Sequence, residues 1–328
     1  MAPTLDSSGT SDPSKRITDG SSAPEATLAV ARGLEQLTGS TVYPQSIILH
    51  DGALFALARE GIEKKLLILS QRAETLLDFE GERQAVENDG NRSTLLICPL
   101  SAANAAALRG RLPFTRPRTL GLATSAGCGD RLGLATPGHV RALRGTGLAP
   151  ILAQQSMREN ARTHRTPQDV IDDATWGVLQ EGWHDGYGAD ADHLMTKEHV
   201  DECVAAGYTF FTVDPGVHVN NEAHSAAPAR LAEIYGELPW AELEIAPDAL
   251  RARYAGQTFV IDDDLTLTFD EETLMRAAGK YGGAIAHTSM MYRHLRDLTD
   301  DFELEMSVDE TETVTSPEEH FFVVNELR

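Results

Sequence analysis

The sequence has few cysteines and no long apolar run. Its three cysteines, Cys98, Cys128 and Cys203, are far apart and form no CxxC pair. This argues against a cysteine-held zinc site and favours a reducing compartment. No apolar segment is long enough to span a bilayer, and the N-terminus has no signal-peptide core. We therefore expect a soluble, cytoplasmic protein with no membrane partner.

Basic residues are also scarce. The chain has 28 Lys and Arg against 50 Asp and Glu, a net charge of −22 over 328 residues, and most of its basic residues are Arg. Such a charge argues against nucleic acid and anionic membranes as partners. The scarcity of lysine is compatible with adaptation to a salt-rich cytoplasm and with a GC-rich genome, and both readings stay open.

Several familiar motifs are missing. The glycines of Gly127-x-Gly129-x-x-x-Gly133 do not have the GxGxxG spacing, and no GxxxxGK[ST] occurs, so dinucleotide and ATP sites lack support. There is no GxSxG nucleophile elbow and no HExxH zinc helix.

What is present divides the chain into three segments. Residues 1–26 are rich in small and polar residues and are interpreted as a disordered tail. Residues 27–115 predict a small α+β domain with a β-meander over 46–50, 53–58 and 65–69, and a helix over 102–112. Residues 116–328 alternate between strands and helices, apart from 222–274, where we expect an insertion or a helical excursion.

The alternating segment predicts a parallel sheet with helices outside. The strand candidates are Leu120–Ala123, Pro150–Gln154, Ala189–Leu194, Thr209–Val213 and Phe302–Val308. Helices are expected to begin at Thr136, which we interpret as an N-cap followed by Pro, and after the start signals at Thr166, Thr196 and Ser316. The fold class is α/β: a (β/α) barrel-like catalytic domain after a small α+β domain. Eight-stranded barrels take about 250 residues. We count too few strands for one, and expect the barrel to be incomplete at its C-terminus, as in a truncated or split gene product.

Polar residues follow every strand candidate, and this is the main functional signal. In β/α folds the carboxyl ends of the strands carry ligands and catalytic groups. The residues that follow the strands include Ser125, Asp130, Arg131, Gln154, Gln155, Arg158, Asp190, Asp192, His193, Asp214, His218, Asp309 and Glu310. Together they favour a polar, sugar-like ligand and a divalent metal.

Each of these residues also has a structural interpretation. An Asp at a strand end often caps the next helix. For Asp192 and Asp214 this capping role and a role in the site are given equal weight. His193 could be a hydrogen-bonded core histidine, and Arg158 could be a surface residue. Glu310 lies in an acidic run that is, by itself, typical of a solvated loop. Only one of the neighbouring Gln154 and Gln155 can face the site, because side chains alternate along a strand.

Five ordered sequence blocks resemble the tagaturonate epimerase family. They are Gly127–Gly133, Gln154–Asn160, Gly188–His193, Phe210–Gly216, and Ser307–Thr311 with Pro317–His320. The resemblance covers most of residues 45–328. It implies a metal-dependent β/α-barrel enzyme that interconverts D-tagaturonate and D-fructuronate in hexuronate catabolism. Members of the family look longer than this chain.

The resemblance implies chemistry that these residues can be assigned to. The two sugar acids differ at a carbon β to the ketone, so simple enolisation cannot invert it, whereas retro-aldol cleavage and re-formation can. The implied roles are acid or base for Asp130 and Asp190, carboxylate binding for Arg131 or Arg158, and metal ligation for Glu310 and His193. Ser125, Gln154 and Asp214 are expected to bind substrate. The metal is left open among Zn, Mn, Co and Ni.

Two other functions stay open at this point. One is an aldolase-like lyase or sugar isomerase that uses the same pocket. The other is an inactive fragment or subunit that needs a second chain to complete the barrel. The expected partners are a small keto sugar acid and either a second copy of the chain or a complementing chain.

Overall fold

The structure is a computed structural model that describes residues 24–88, 91–262, 264–309 and 311–328. In those ranges no helix combines the length and the apolar character needed to cross a membrane. The chain divides into two compact units. The first unit extends through Asp190 and includes Ala206–Thr209, and the second consists of Ala191–Ala205 and Phe210–Arg328.

The first unit begins with a helix and an antiparallel sheet. Its helices are α1 (Pro24–Thr38), α2 (Ala102–Arg111), α3 (Thr136–Leu143), α4 (Met157–Thr163) and α5 (Pro167–Glu181). Its first six strands are β1 (Thr41–Val42), β2 (Ile48–His50), β3 (Ala53–Glu60), β4 (Glu63–Ser70), β5 (Glu82–Asn88) and β6 (Asn91–Pro99). These form a sheet of order β1-β3-β4-β6-β5, with β2 paired to β3.

The antiparallel sheet is buried on both faces. Alternate residues of β3 point in opposite directions, so Phe55 and Leu57 belong to one core and Leu54 and Ala56 to another. The first core includes residues of α2 and α5, and the second includes residues of α1. A buried ion pair with an N–O distance of 2.7 Å also joins Arg109 of α2 to Asp172 of α5.

The remaining strands begin with β7 (Ser125–Gly127), β8 (Ala149–Ser156), β9 (Gly188–Leu194) and β10 (Phe210–Val213). With the later strand β13 (Glu303–Met306) they form a five-stranded sheet of order β13-β10-β9-β8-β7. The pairs β7–β8 and β10–β13 are parallel, and the sheet is curled like half of a barrel. The division between the compact units falls within β9, after Asp190.

The second unit is mainly helical and has an aromatic core. It contains α6 (Lys197–Ala206) up to Ala205, α7 (Pro228–Gly236), α8 (Trp240–Leu243), α9 (Pro247–Tyr254), α10 (Glu271–Leu298) and α11 (Pro317–Leu327). A hairpin of β11 (Gln257–Val260) and β12 (Thr266–Phe269) separates α9 from α10. Tyr254, Phe269, Tyr281 and Phe322 pack in one buried cluster.

Most of the elements expected from the sequence are present. The meander, α2, β8, β9, β10, β13 and the helices after Thr166, Thr196 and Ser316 are confirmed, with small changes of boundary. The expected excursion over 222–274 contains α7, α8, α9 and the β11–β12 hairpin. Strands β7, β8, β9, β10 and β13 lie side by side in the sheet in the order in which they occur in the chain, as in a barrel-like domain.

Two local predictions are wrong. Residues Leu120–Ala123 form no strand, since a turn exposes Leu122 and the strand begins instead at Ser125. Thr136 is the first residue of α3 rather than its cap; the cap residue is Ala135, and the carboxylate of Asp130 accepts hydrogen bonds from the N–H groups of Ala135 and Thr136.

The domain boundary predicted between residues 115 and 116 stays a prediction. The division between the compact units lies elsewhere, within β9. Of the tail predicted over 1–26, residues 1–23 lie outside the described residues, and α1 begins at Pro24.

Candidate functional site

Asp130 organises the glycine-rich loop that follows β7. Its carboxylate is buried and accepts hydrogen bonds from the backbone N–H groups of Leu132, Leu134, Ala135 and Thr136, at N–O distances of 2.7 to 3.3 Å. Burial alone would raise the pKa of this carboxyl, but the four backbone donors outweigh it and lower the pKa. The geometry therefore gives Asp130 a loop-organising role, and its role as an acid or base stays a prediction.

Arg165 holds the same loop from the other side. One guanidinium nitrogen donates to the carbonyl oxygen of Asp130 and to Oε1 of Gln155, both at 2.7 Å. The other donates to the carboxylate of Asp173 at 2.5 Å. Sequence reasoning did not single out Arg165, because it lies in a loop between α4 and α5 rather than at a strand end.

Gln154 and Gln155 face different partners, as the alternation along β8 requires. Gln154 donates from Nε2 to Oδ2 of Asp190 at 3.2 Å. The buried Gln155 bonds to Thr163 and Arg165. Asp190 is itself buried at the end of the first unit. We call Asp130, Gln154, Gln155, Arg165 and Asp190 the first cluster.

The other substrate-binding candidates of the first unit are exposed. Ser125 is the first residue of β7 and Arg158 lies on α4. Arg131 is on the glycine-rich loop and forms an ion pair with Glu159, with an N–O distance of 2.6 Å. No ion pair of Arg158 is found in the part of the chain that the structure describes.

His193 is the centre of a second group, at the end of β9. Its Nδ1 lies 2.5 Å from Oδ1 of Asp192, and its Nε2 lies 3.5 Å from Oδ2 of Asp309. Burial lowers the pKa of the ring, but Asp192, Asp309 and Asp214 outweigh burial, so the pKa is raised. His193 also has a φ of +56°, a left-handed backbone conformation that is uncommon for a residue with a side chain. Strain of this kind is often found at functional sites.

Asp214 and Asp309 complete what we call the second cluster, with Asp192 and His193. Asp214 follows β10, and its Oδ1 accepts a hydrogen bond from the N–H of Gly216 at 2.9 Å. Asp309 follows β13, and its pKa is lowered: burial is the largest single influence and raises it, but backbone hydrogen bonding, His193 and Ser307 together outweigh burial. Glu310, the other predicted metal ligand, lies outside the described residues.

His287 is a neighbour of this region that sequence reasoning missed. It lies on α10, and its ring stacks on that of His218, with the ring centres 4.2 Å apart. Burial and the nearby His218 lower the pKa of His287, against the opposing charge of Asp214. No strand-end signal marks a residue in the middle of a long helix.

A cavity of about 460 Å³ lies within the first unit, apart from the predicted site residues. Its lining is mostly apolar, from Leu100, Pro137 and Trp176, with Lys64 and Asp173 as charged groups. None of the predicted substrate-binding or catalytic residues lines this cavity in the described part of the chain.

The fold and clusters define an α/β protein with a half-barrel parallel sheet and polar groups after its strands. The sequence model of the tagaturonate epimerase family matches residues 43–328, so the chain belongs to that family. The match includes both clusters. The resemblance that the sequence blocks indicated is therefore confirmed.

Two kinds of relatives agree with this assignment. The tagaturonate/fructuronate epimerase of Thermotoga maritima is 42% identical over 290 residues, covering 88% of this chain and 58% of the relative. The native crystal structure of fructuronate-tagaturonate epimerase UxaE from Cohnella laeviribosi is similar with a TM-score of 0.78 and 34% identity, covering 91% of this chain and 59% of that one. A glycerol-complexed structure of the same protein gives a TM-score of 0.79. The chain thus spans a little under three fifths of the length of these relatives.

Proposed function

We propose that this chain catalyses, or supplies part of the site for, the interconversion of D-tagaturonate and D-fructuronate. The observation that carries the proposal is the family match over residues 43–328. It is supported by the 42% identity to a relative named for this activity. Hexuronate catabolism is the metabolic setting that we infer from the substrates.

The proposed chemistry is retro-aldol cleavage followed by re-addition. A base takes the proton of the hydroxyl whose carbon is to be inverted, and the adjacent carbon–carbon bond breaks. This leaves an aldehyde and an enediolate. The aldehyde turns to present its other face, the bond forms again, and the proton returns to the new alkoxide. Atoms and electrons balance without an oxidant or reductant.

The second cluster fits a divalent metal in the chemistry of its donors. Asp192 contacts Nδ1 of His193, and Nε2 of the same ring is directed towards Asp309. A histidine that binds a metal through one ring nitrogen commonly has its other ring nitrogen bonded to a carboxylate in this way. No group of three or more His, Cys, Asp or Glu positioned for a metal occurs among the described residues, which do not include Glu310. On the geometry of the His193 ring, we assign His193, Asp309 and the predicted ligand Glu310 as the donors to the metal. When bound, a divalent ion would supply positive charge for an enediolate.

The remaining roles follow from the contacts. Asp190 is the better candidate for the acid or base, because the carboxylate of Asp130 already accepts hydrogen bonds from four backbone groups. Of the two arginines, we assign the substrate carboxylate to the exposed Arg158, because Arg131 is paired with Glu159. Ser125, Gln154 and Asp214 are assigned to substrate hydroxyls.

The test is to incubate the purified chain with D-tagaturonate, with added Mn²⁺, Co²⁺, Ni²⁺ or Zn²⁺ and with a chelator, and to measure D-fructuronate. We expect metal-dependent conversion that is lost in His193→Ala and Glu310→Gln. The matched control is His50→Ala, which removes an exposed histidine that also pairs with its neighbouring Asp, Asp51.

Each alternative outcome has a definite meaning. Accumulation of a free aldehyde would identify a lyase instead. No conversion by a folded sample that binds Co²⁺ would contradict catalysis by this chain alone. Activity that returns when a second protein chain is added would then support a shared site.

A further inference from the structure

Lys280 is the most deeply buried charged residue among those described, and the proposed reaction does not use it. It lies in the middle of α10 and has no exposed surface. Its Nζ lies 3.0 Å from Oε2 of Glu319, 3.3 Å from the carbonyl oxygen of Val314 and 3.5 Å from that of Thr313. A lysine is rarely buried to this degree without such partners.

The hydrogen-bond acceptors of the Lys280 ammonium group all belong to the segment that follows β13. Glu319 is the third residue of α11, and its carboxylate also accepts the N–H of Ser316 in a capping box. Next to Lys280, the hydroxyl of Tyr281 lies 2.6 Å from that of Thr315. Two successive residues of α10 therefore hold residues 313–319.

This segment continues directly from the second cluster. At its start, the N–H of Ser307 donates to the carbonyl oxygen of Val213, and Asp309 lies next to His193. Within residues 311–313, the hydroxyl of Thr311 donates a hydrogen bond to the carbonyl oxygen of Thr313. Asp309 therefore lies in the chain between β13, which ends at Met306, and the residues from Thr313 to Glu319 that α10 contacts.

We propose that Lys280 is a positioning residue that fixes the segment after β13 and so holds Asp309 against His193. The proposal rests on the proposed metal-dependent function, because Asp309 and His193 are assigned there as ligands. Lys280 touches no reacting atom in this scheme. It acts through two backbone carbonyl groups and Glu319.

A purely structural ion pair would behave differently, and a double variant separates the two roles. Lys280→Met leaves the buried Glu319 without its partner and is expected to destabilise the second unit. Adding Glu319→Gln removes the unpaired charge and keeps an oxygen for the N–H of Ser316. The double variant should therefore recover most of the stability. It cannot restore the contacts to the carbonyl oxygens of Thr313 and Val314.

The experiment compares the full chain with the single and double variants by three readouts. These are urea unfolding, the side-chain NMR resonance of His193, and titration with Co²⁺ alone followed by visible absorption. In the double variant we expect near wild-type stability, a shifted His193 resonance, faster amide exchange over 311–316, and Co²⁺ affinity lowered by about 10- to 100-fold, the usual effect of losing an outer partner of a ligand. Arg109→Met is the control, because it breaks a buried pair of the first unit.

A double variant with an unchanged His193 resonance and unchanged exchange over 311–316 would overturn the proposal and leave a structural ion pair. If the wild-type chain binds no Co²⁺, the metal assignment of the proposed function fails. The NMR and exchange readouts still decide the role of Lys280 in that case, so the two failures are distinguishable.

Discussion

Oδ1 of Asp192 lies 2.5 Å from Nδ1 of His193, the next residue along the chain. Neighbouring residues of a regular strand point to opposite faces, so this contact requires a local departure from regular strand geometry near the end of β9, which runs to Leu194. The φ of +56° at His193 provides that change of direction. The contact orients the ring and makes Nε2 the nitrogen available to a ligand.

Asp192→Asn tests this relationship. The neutral amide holds the ring less firmly and makes it a poorer ligand, so the Co²⁺ affinity of the chain should fall about 10- to 100-fold. Visible absorption during Co²⁺ titration measures it. Asp201→Asn is the matched control, because Asp201 forms a similar pair with His294, at 2.7 Å, on the same unit. Equal affinities of the wild type and Asp192→Asn would show that the pair does not support a metal.

The sequence predicted the elements better than the contacts within them. The strands over 150–154 and 189–194 were predicted from the alternation of strands and helices, and the helices after Thr166 and Ser316 from local capping signals that the structure confirms as capping boxes. Such signals lie within a few residues of one another. Strands β5 and β6 were missed. β5 is an edge strand with several charged residues, so its pattern is not that of a buried strand.

The candidate site was predictable only for residues whose place in the fold follows from their place in the sequence, such as those at strand ends. Polar residues after successive strands were identified as a group, and Asp190 with Gln154, and Asp192 with His193 and Asp309, do contact one another. Arg165 and Lys280 were not identified. Their functions depend on backbone carbonyl groups that are brought to them by the fold, and no sequence spacing records those contacts.

Asp130→Asn should destabilise the first unit. An amide offers one acceptor oxygen where the carboxylate offers two, and its NH₂ group faces backbone donors. With hydrogen bonds to charged groups worth about 1.5 to 3 kcal/mol each, we expect a loss of about 2 to 3 kcal/mol in the free energy of unfolding. Urea unfolding followed by tryptophan fluorescence and circular dichroism measures it. Thr136→Val removes only one hydroxyl donor to Asp130 and should cost about 1 kcal/mol.

The pH dependence of Asp130 has a definite sign. Its pKa is lower in the folded chain than its ordinary value of 3.8. Its contribution is therefore present at neutral pH and is lost as the pH falls below about 4 through the folded pKa. The stability difference between wild type and Asp130→Asn should narrow on acidification. A difference that stays constant down to pH 2 would contradict the hydrogen-bonding role of the ionised carboxylate.

Gly133→Ala tests how closely the glycine-rich loop approaches α5. Gly133 has a φ of +71°, and a Cβ there would lie 2.0 Å from Oδ2 of Asp173. Gly147→Ala is the control, since Gly147 has a φ of +80° but no atom within 4 Å of its Cβ position. The control should lose about 1 to 2 kcal/mol for the left-handed backbone alone. Gly133→Ala should lose clearly more by urea unfolding, and part of the excess should return with Asp173→Ala. Equal losses at the two glycines would mean that the carboxylate moves aside at no cost.

Asp173 should make the first unit less stable as the pH rises from about 4 to about 6. Burial raises the pKa of its carboxyl to about 6 in spite of Arg165, against an ordinary value of 3.8. Between these values the folded chain binds more protons at this group than the unfolded chain, so the free energy of unfolding falls as the pH rises. Above about pH 7 the group is ionised in both states and its contribution no longer changes.

Asp173→Asn should remove this slope, even though it also weakens the contact with Arg165 and changes the absolute stability. The measurement is the free energy of unfolding in urea at pH 4, 5, 6 and 7 for both proteins. Because the other carboxyl groups titrate in both, the informative quantity is the difference between the two curves. That difference should change strongly between pH 4 and 6 and only slightly from 6 to 7. Parallel curves over the whole range would show that Asp173 ionises normally beneath the loop, and that the close approach of Gly133 does not desolvate its carboxylate.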